Sequence, residues 1–175
     1  PIAIEQLQQD LQTILEETPA AFNRPDQAMA LLTGDHHQAM WDAIYQKILP
    51  LSLQPERTKA KIDAIKNAFG TILFFANLGV IDHLQQEFPL YQEKFELWSH
   101  QQAGMLQINV WNYLAEQQIG ASLQHYCEII QEWVLEHFHL PAHFQLIAQM
   151  PFGGMEEGIP AKKKPDSEGR FFVFE

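Results

Sequence analysis

Between Leu90 and Gln118 the chain contains no proline, and Phe95, Trp98, Met105, Leu106, Ile108, Val110, Trp111 and Leu114 are spread around a helical wheel rather than along one stripe. The segment predicts one long α-helix that is apolar over much of its surface, and such a helix must be covered on nearly every side. A chain of 175 residues has the size of a single domain and rarely buries that much helix by itself. A sheet on one flank and a second subunit on another would satisfy the segment, so a homodimer is expected.

The flanking sequence supplies both helices and strands. Ile4, Leu7, Leu11, Ile14 and Leu15 recur at helical spacing up to Pro19. A polar connection over 18–27 leads into the short apolar run Ala28–Thr33, which reads as a buried strand. Asp35 is placed to cap a helix that stops at Pro50, and Pro55 opens another that reaches Ala68. Uncharged Thr71–Ala76, rich in β-formers, reads as the central strand. Strands are also expected over Gly120–Tyr126, Phe144–Met150 and Arg170–Phe174, with a helix from Glu128 to Phe138 and a polar arm from Gly153 to Gly169. No internal repeat is visible, and the interleaving points to an α+β chain with a mixed sheet between helices. Residues 1–175 are expected to form one domain, with 153–175 as an extended C-terminal arm.

A formal net charge of −11 repels phosphate backbones and anionic lipid heads, and the longest basic cluster is only Lys162-Lys163-Lys164. Neither nucleic acid nor a membrane surface is an expected partner. No apolar run approaches the roughly 20 residues of a membrane span and no leader pattern opens the chain, so a cytoplasmic location is expected. Cys127 is the single cysteine, which excludes an internal disulfide and the multi-cysteine zinc arrangements. His137 and His139 point to different sides of a helix and Pro141 breaks the register before His143, so a metal site is not expected. His125 could serve Cys127 as a base, but a lone cysteine at a strand–helix junction more often simply packs. No nucleophile elbow, Walker loop or dinucleotide fingerprint is present.

Five segments resemble the nitroreductase family, and more narrowly its fatty-acid-repression-mutant branch. They are Ala20-Ala21-Phe22-Asn23, Gly70–Phe75, Trp98–Gln107, Gly120-Ala121-Ser122-Leu123-Gln124-His125-Tyr126 and Leu146–Gly153 with its Ala-Gln-Met-Pro-Phe-Gly string. The resemblance spans nearly the whole chain in order. It implies a three-layer fold with a mixed, mainly antiparallel sheet flanked by helices, and a homodimer holding FMN at the subunit interface. It also implies reduction of nitroaromatics or quinones with electrons from NAD(P)H. The chemistry then belongs to the flavin and no catalytic side chain is required.

By the same resemblance, Gln124, His125 and Tyr126 form the turn whose backbone amides address the reactive edge of the flavin. Asn23 matches a polar residue near the flavin pyrimidine or phosphate, and Arg170 resembles a C-terminal arginine that pairs with the phosphate. Trp98 and Gln101 either line the pocket from the other subunit or serve helix packing. Some positions depart from the family pattern: Ala20, Pro25 and Ala28 replace polar residues, and no paired-arginine segment precedes the first helix of the sequence that begins at Pro1. Those departures imply a weakened grip on FMN, and a flavin-free, ligand-binding or regulatory dimer is the alternative.

Overall fold

The computed structural model describes residues 2–155 and 163–174. Six helices and four strands follow one another as α1 (Ile4–Glu17), β1 (Gln27–Thr33), α2 (Gly34–Ile48), α3 (Pro55–Lys66), β2 (Gly70–Asn77), α4 (Leu78–Glu87), α5 (Phe95–Glu116), β3 (Ile119–Ala121), α6 (Cys127–His137) and β4 (Phe144–Gly154). The strands lie in the order β1-β2-β4-β3, and every neighbouring pair is antiparallel, so the described sheet is antiparallel rather than mixed.

The sheet is the middle of three layers because β2 has two apolar faces. Ile72 and Phe74 turn toward α1 and α5, where they meet Leu7, Leu11, Leu106, Val110 and Leu114. Leu73 and Phe75 turn the other way, onto Met40, Trp41 and Ile44 of α2, Ile62 of α3, and Ile130 and Val134 of α6. Strand alternation thus assigns the two helical layers. A register shift between Phe74 and Phe75 places Ile147 as an extra residue in β4, and Ile147 packs beside α1 and α5 with its neighbour Ala148.

Local chemistry sets several element ends. Asn77 caps α4, its Oδ1 accepting from Val80 N at 3.3 Å. Asp35 does not cap α2: Gly34 opens that helix at φ +53 and Asp35 sits within its first turn, where a carboxylate complements the helix dipole. The expected strand over Gly120–Tyr126 is reduced to Ile119–Ala121 followed by one bridge, Gln124 to Gln149. Pro151 is the cause. Its carbonyl accepts from Ser122 N at 3.1 Å, but it has no N–H to return.

The expected terminal strand is absent among the described residues. Arg170 closes a turn, its N–H donating to Ser167 O at 2.9 Å, and Phe171–Phe174 are exposed with no ladder partner. The strand over Phe144–Met150 is longer than expected and runs to Gly154, so the arm starts later; residues 156–162 and Glu175 lie outside the described residues. The long helix is shorter at its N-terminal end, where Pro89–Lys94 form a 3₁₀ turn. Leu97, Met105, Ile108 and Trp111 of this helix form an apolar stripe that the single chain leaves exposed. No helix of the described residues is long and apolar enough to cross a membrane.

Candidate active site

At one end of the sheet, α3 stops just before Asn67 and β4 runs beneath the following loop. A Cβ on Gly153 would lie 2.9 Å from Phe69 N, so only glycine lets the two backbones approach this closely. The result is a cleft of about 620 Å³ lined by Lys61, Asn67, Ser122, Gln124 and Pro151–Gly154 among others. That volume lies in the range of small-molecule sites. Lys61 brings a cation, its Nζ 5.2 Å from the centre of the Tyr126 ring, within cation–π range. Lys61 and Asn67 were not among the residues singled out from sequence, because Lys61 sits on the polar face of an ordinary surface helix and Asn67 is the residue that follows it.

The segment after β3 presents alternate amides. Gln124 N donates to Gln149 O at 2.7 Å and Tyr126 N donates to the Gln149 side-chain oxygen at 2.8 Å. Leu123 N and His125 N make no hydrogen bond among the described residues. Of the three amides expected to point outward, two are therefore turned inward; the free N–H groups of the segment are those of Leu123 and His125, next to the cleft rather than in its lining. Gln149, fully buried, holds this arrangement and also donates from Nε2 to Cys127 Sγ at 3.3 Å. Burial pushes the Cys127 thiol up, partly offset by that hydrogen bond, the opposite of an activated nucleophile.

Asn23 lies elsewhere, on the exposed turn Ala21–Asn23. Phe22 and Asn23 both adopt left-handed backbone, φ +55 and φ +54, which costs on the order of 1 kcal/mol or more per non-glycine residue. Aromatic packing offsets the strain: Phe22 stacks on Phe88 with ring centres 4.4 Å apart. A second cleft, of about 320 Å³, runs from this turn to Trp98, Gln101, Gln102 and Met105 of α5. It shares no lining residue with the first. Trp98 and Gln101 thus both line a cleft, and Trp98 also packs edge-on against Phe95. Arg170 is exposed, and its guanidinium donates to the carbonyls of Pro165 and Asp166. The single chain therefore does not gather Asn23, the Gln124–Tyr126 segment and Arg170 at one cleft.

A three-layer α+β protein with an antiparallel sheet and a cleft free of catalytic dyads, beside outward backbone amides, is of the class that binds its chemistry rather than building it from side chains. The chain belongs to the Nitroreductase family, whose model matches residues 1–154, and is an oxidoreductase of that family. HBN1 of Saccharomyces cerevisiae is 33% identical over 152 residues, covering 87% of this chain and 76% of HBN1. FRM2 of the same yeast, 26% identical over 162 residues and covering 93% and 80%, supports the fatty-acid-repression-mutant branch. The nitroreductase CinD of Lactococcus lactis, solved in complex with chloramphenicol, superposes with a TM-score of 0.90 at 36% identity, covering 100% of this chain and 90% of CinD. At the level of fold alone, a Desulfovibrio desulfuricans nitroreductase-type protein solved with FMN superposes with a TM-score of 0.65 at 18% identity, covering 98% and 86%.

Proposed function

We propose that the chain is an FMN-dependent reductase that works as a homodimer and passes electrons from NAD(P)H to small aromatic acceptors such as nitroaromatics or quinones. The observation that carries this reading is the convergence, at the end of α3, of a cation and a side-chain amide on one cleft of suitable volume, next to a segment that carries two free backbone N–H groups. An isoalloxazine ring carries acceptors along its pyrimidine edge and at N5, which this donor set suits. The FMN in the Desulfovibrio structure and the chloramphenicol in CinD support the same assignment. When bound, FMN supplies the two-electron chemistry that no side chain here can perform.

The residues take distinct tasks in this reading. Lys61 and Asn67 hold the pyrimidine edge, and Lys61 offsets negative charge there. His125 and Leu123 offer their backbone N–H groups, while Gln124 and Tyr126 act indirectly, tied to Gln149 so that the free amides face outward. Asn23 enters from the partner, on a turn too far along the fold to share the first cleft. Arg170 reaches the phosphate once it leaves the carbonyls of Pro165 and Asp166. The exposed stripe Leu97, Met105, Ile108 and Trp111, the open outer edge of β1, and the unpaired apolar tail Phe171–Phe174 support two subunits closing on one another. We place residues 1–175 in one domain whose C-terminal arm begins after Gly154, acting in the cytoplasm.

Absorbance and fluorescence test the assignment. Purified protein is expected to carry a flavin spectrum, or to quench the fluorescence of added FMN at micromolar protein. Protein that stays colourless and leaves FMN fluorescence unchanged refutes the enzyme reading and favours the flavin-free alternative.

A further inference from the structure

The end of α3 forms one flank of the first cleft, through Lys61, Ile65, Asn67 and Ala68, yet among the described residues of this helix only Ile62 is buried. One apolar anchor does not fix the tilt of a helix, so its C-terminal end needs a second attachment. That attachment is polar and comes from α2. Gln38 Nε2 donates to Lys66 O at 2.6 Å, His37 Nε2 lies 3.3 Å from the same carbonyl, and Lys66 Nζ pairs with Asp42. Lys66 O belongs to the last turn, whose carbonyls have no partner within the helix. A carbonyl only accepts, so His37 Nε2 carries the hydrogen. The neutral ring, which burial favours, then accepts at Nδ1 from the Thr71 hydroxyl 2.9 Å away, and Thr71 Oγ1 accepts from Trp41 Nε1 at 2.9 Å. An apolar side chain at position 37 would fill the space with no polar groups to satisfy, so packing alone does not call for this chain of bonds. Beyond Asn67 the backbone is held from the other side: a Cβ on Gly153 would lie 3.4 Å from Ala68 Cα and 2.9 Å from Phe69 N. Asn67 sits between these two fixed points.

We propose that His37 and Gln38 are positioning residues for the flavin cleft: by holding Lys66 O they fix the end of α3 against the sheet, and so set where the Asn67 side-chain amide meets the cofactor. Neither residue lines the cleft, and both act through Asn67. The inference rests on the flavin reading of that cleft and deepens it by naming what orders its α3 flank before the cofactor arrives.

FMN titration by fluorescence quenching, on variants that circular dichroism shows to be folded, tests it without turnover. Gln38→Leu and His37→Leu are each expected to raise the FMN dissociation constant by roughly three- to tenfold. His37→Gln, whose amide keeps a donor near the position of Nε2, should stay closer to wild type. Val134→Ala lies in the same core layer and touches none of these bonds; it should lower stability and leave FMN affinity unchanged. In an Asn67→Ala background, Gln38→Leu should add little further loss, because both changes act through one residue. Without FMN, hydrogen exchange at the Asn67 and Ala68 amides, which donate to Asp63 O and Ile65 O, should quicken in Gln38→Leu and not in Val134→Ala. Unchanged affinity or exchange in Gln38→Leu, an equal loss of affinity in Val134→Ala, or full additivity with Asn67→Ala overturns the proposal and leaves the flavin reading standing. Should His37→Leu fail to fold, Gln38→Leu at its half-buried position carries the test. Wild-type protein that binds no FMN ends the flavin reading itself, and the role assigned to His37 and Gln38 falls with it.

Discussion

Gln149 joins the core of the sheet to the segment that carries the free amides, and replacing it by leucine separates those two tasks. Leucine has a similar volume and suits a fully buried position, so Gln149→Leu leaves little cavity. What it removes is the acceptor for Tyr126 N, 2.8 Å away, and the weak donor to Cys127 Sγ. A half-buried N–H left without a partner costs about 1 to 3 kcal/mol, and a lost thiol contact adds less. The expected destabilisation is about 2 kcal/mol, equivalent to roughly 4 to 8 °C in Tm for a protein of this size. Urea unfolding followed by circular dichroism measures it. The same change releases Tyr126 N from β4 while the backbone bonds of Ser122 and Gln124 remain, so FMN affinity should fall as well. Gln149→Glu keeps an acceptor for Tyr126 N but buries a carboxylate, and should lose at least as much stability as the leucine variant. A Gln149→Leu protein within about 0.5 kcal/mol of wild type, with unchanged FMN affinity, would show that the segment is positioned by something else.

Four further outcomes follow from the buried polar groups and the exposed stripe. Thr71→Val removes the oxygen that accepts from Trp41 Nε1 and lies 2.9 Å from His37 Nδ1, all buried; a loss of about 2 to 4 kcal/mol is expected in chemical denaturation. Burial holds His37 below its ordinary 6.5, so the unfolded chain takes up that proton first. Its contribution is complete above about pH 6.5 and is lost as pH falls through the lower folded value; His37→Gln should flatten that slope in Tm measured against pH. Asp26 behaves in the opposite sense, because burial raises its carboxyl above 3.8 despite hydrogen bonds from Gln27 and Ser99. Stability from the neutral acid is present at low pH and is lost as pH rises through the folded value, so Asp26→Asn should be more stable than wild type at neutral pH. Ile108→Glu places a charge on the exposed face of α5 and should shift sedimentation from dimer toward monomer without lowering helix content.

The parts of this fold that sequence reveals are those whose side chains meet the core in a simple period. β2 is legible because every residue from Gly70 to Ala76 is buried, and an uncharged run of β-formers admits few other uses. α5 is legible for the same reason, although the wheel pattern does not say which apolar residues face the sheet and which await another surface. β3 is not legible, because its length is decided by a different strand. Pro151 cannot return a hydrogen bond, and the Gln149 side chain then takes Tyr126 N, a substitution of side chain for backbone that no local pattern encodes.

The site divides along the same line. The strings around Phe22 and Gln124 mark both clefts through family resemblance, but the alternation that turns Gln124 N and Tyr126 N inward and leaves His125 N outward depends on register with β4. Lys61 and Asn67 carry no motif, since a lysine on the polar face of a short helix is the commonest of surface features. The signal that was available is positional: Asn67 directly follows α3, three residues before the glycine that opens the central strand, where the chain must turn over the sheet. Strand ends beneath a helix terminus are where an α+β fold leaves space between layers, so a cation and an amide at such a junction are better candidates for a ligand than the same residues at mid-helix. Cofactor sites assembled in this way draw on three separated segments for one cleft, and that is why composition and periodicity recover the layers of this protein while the cleft requires their register.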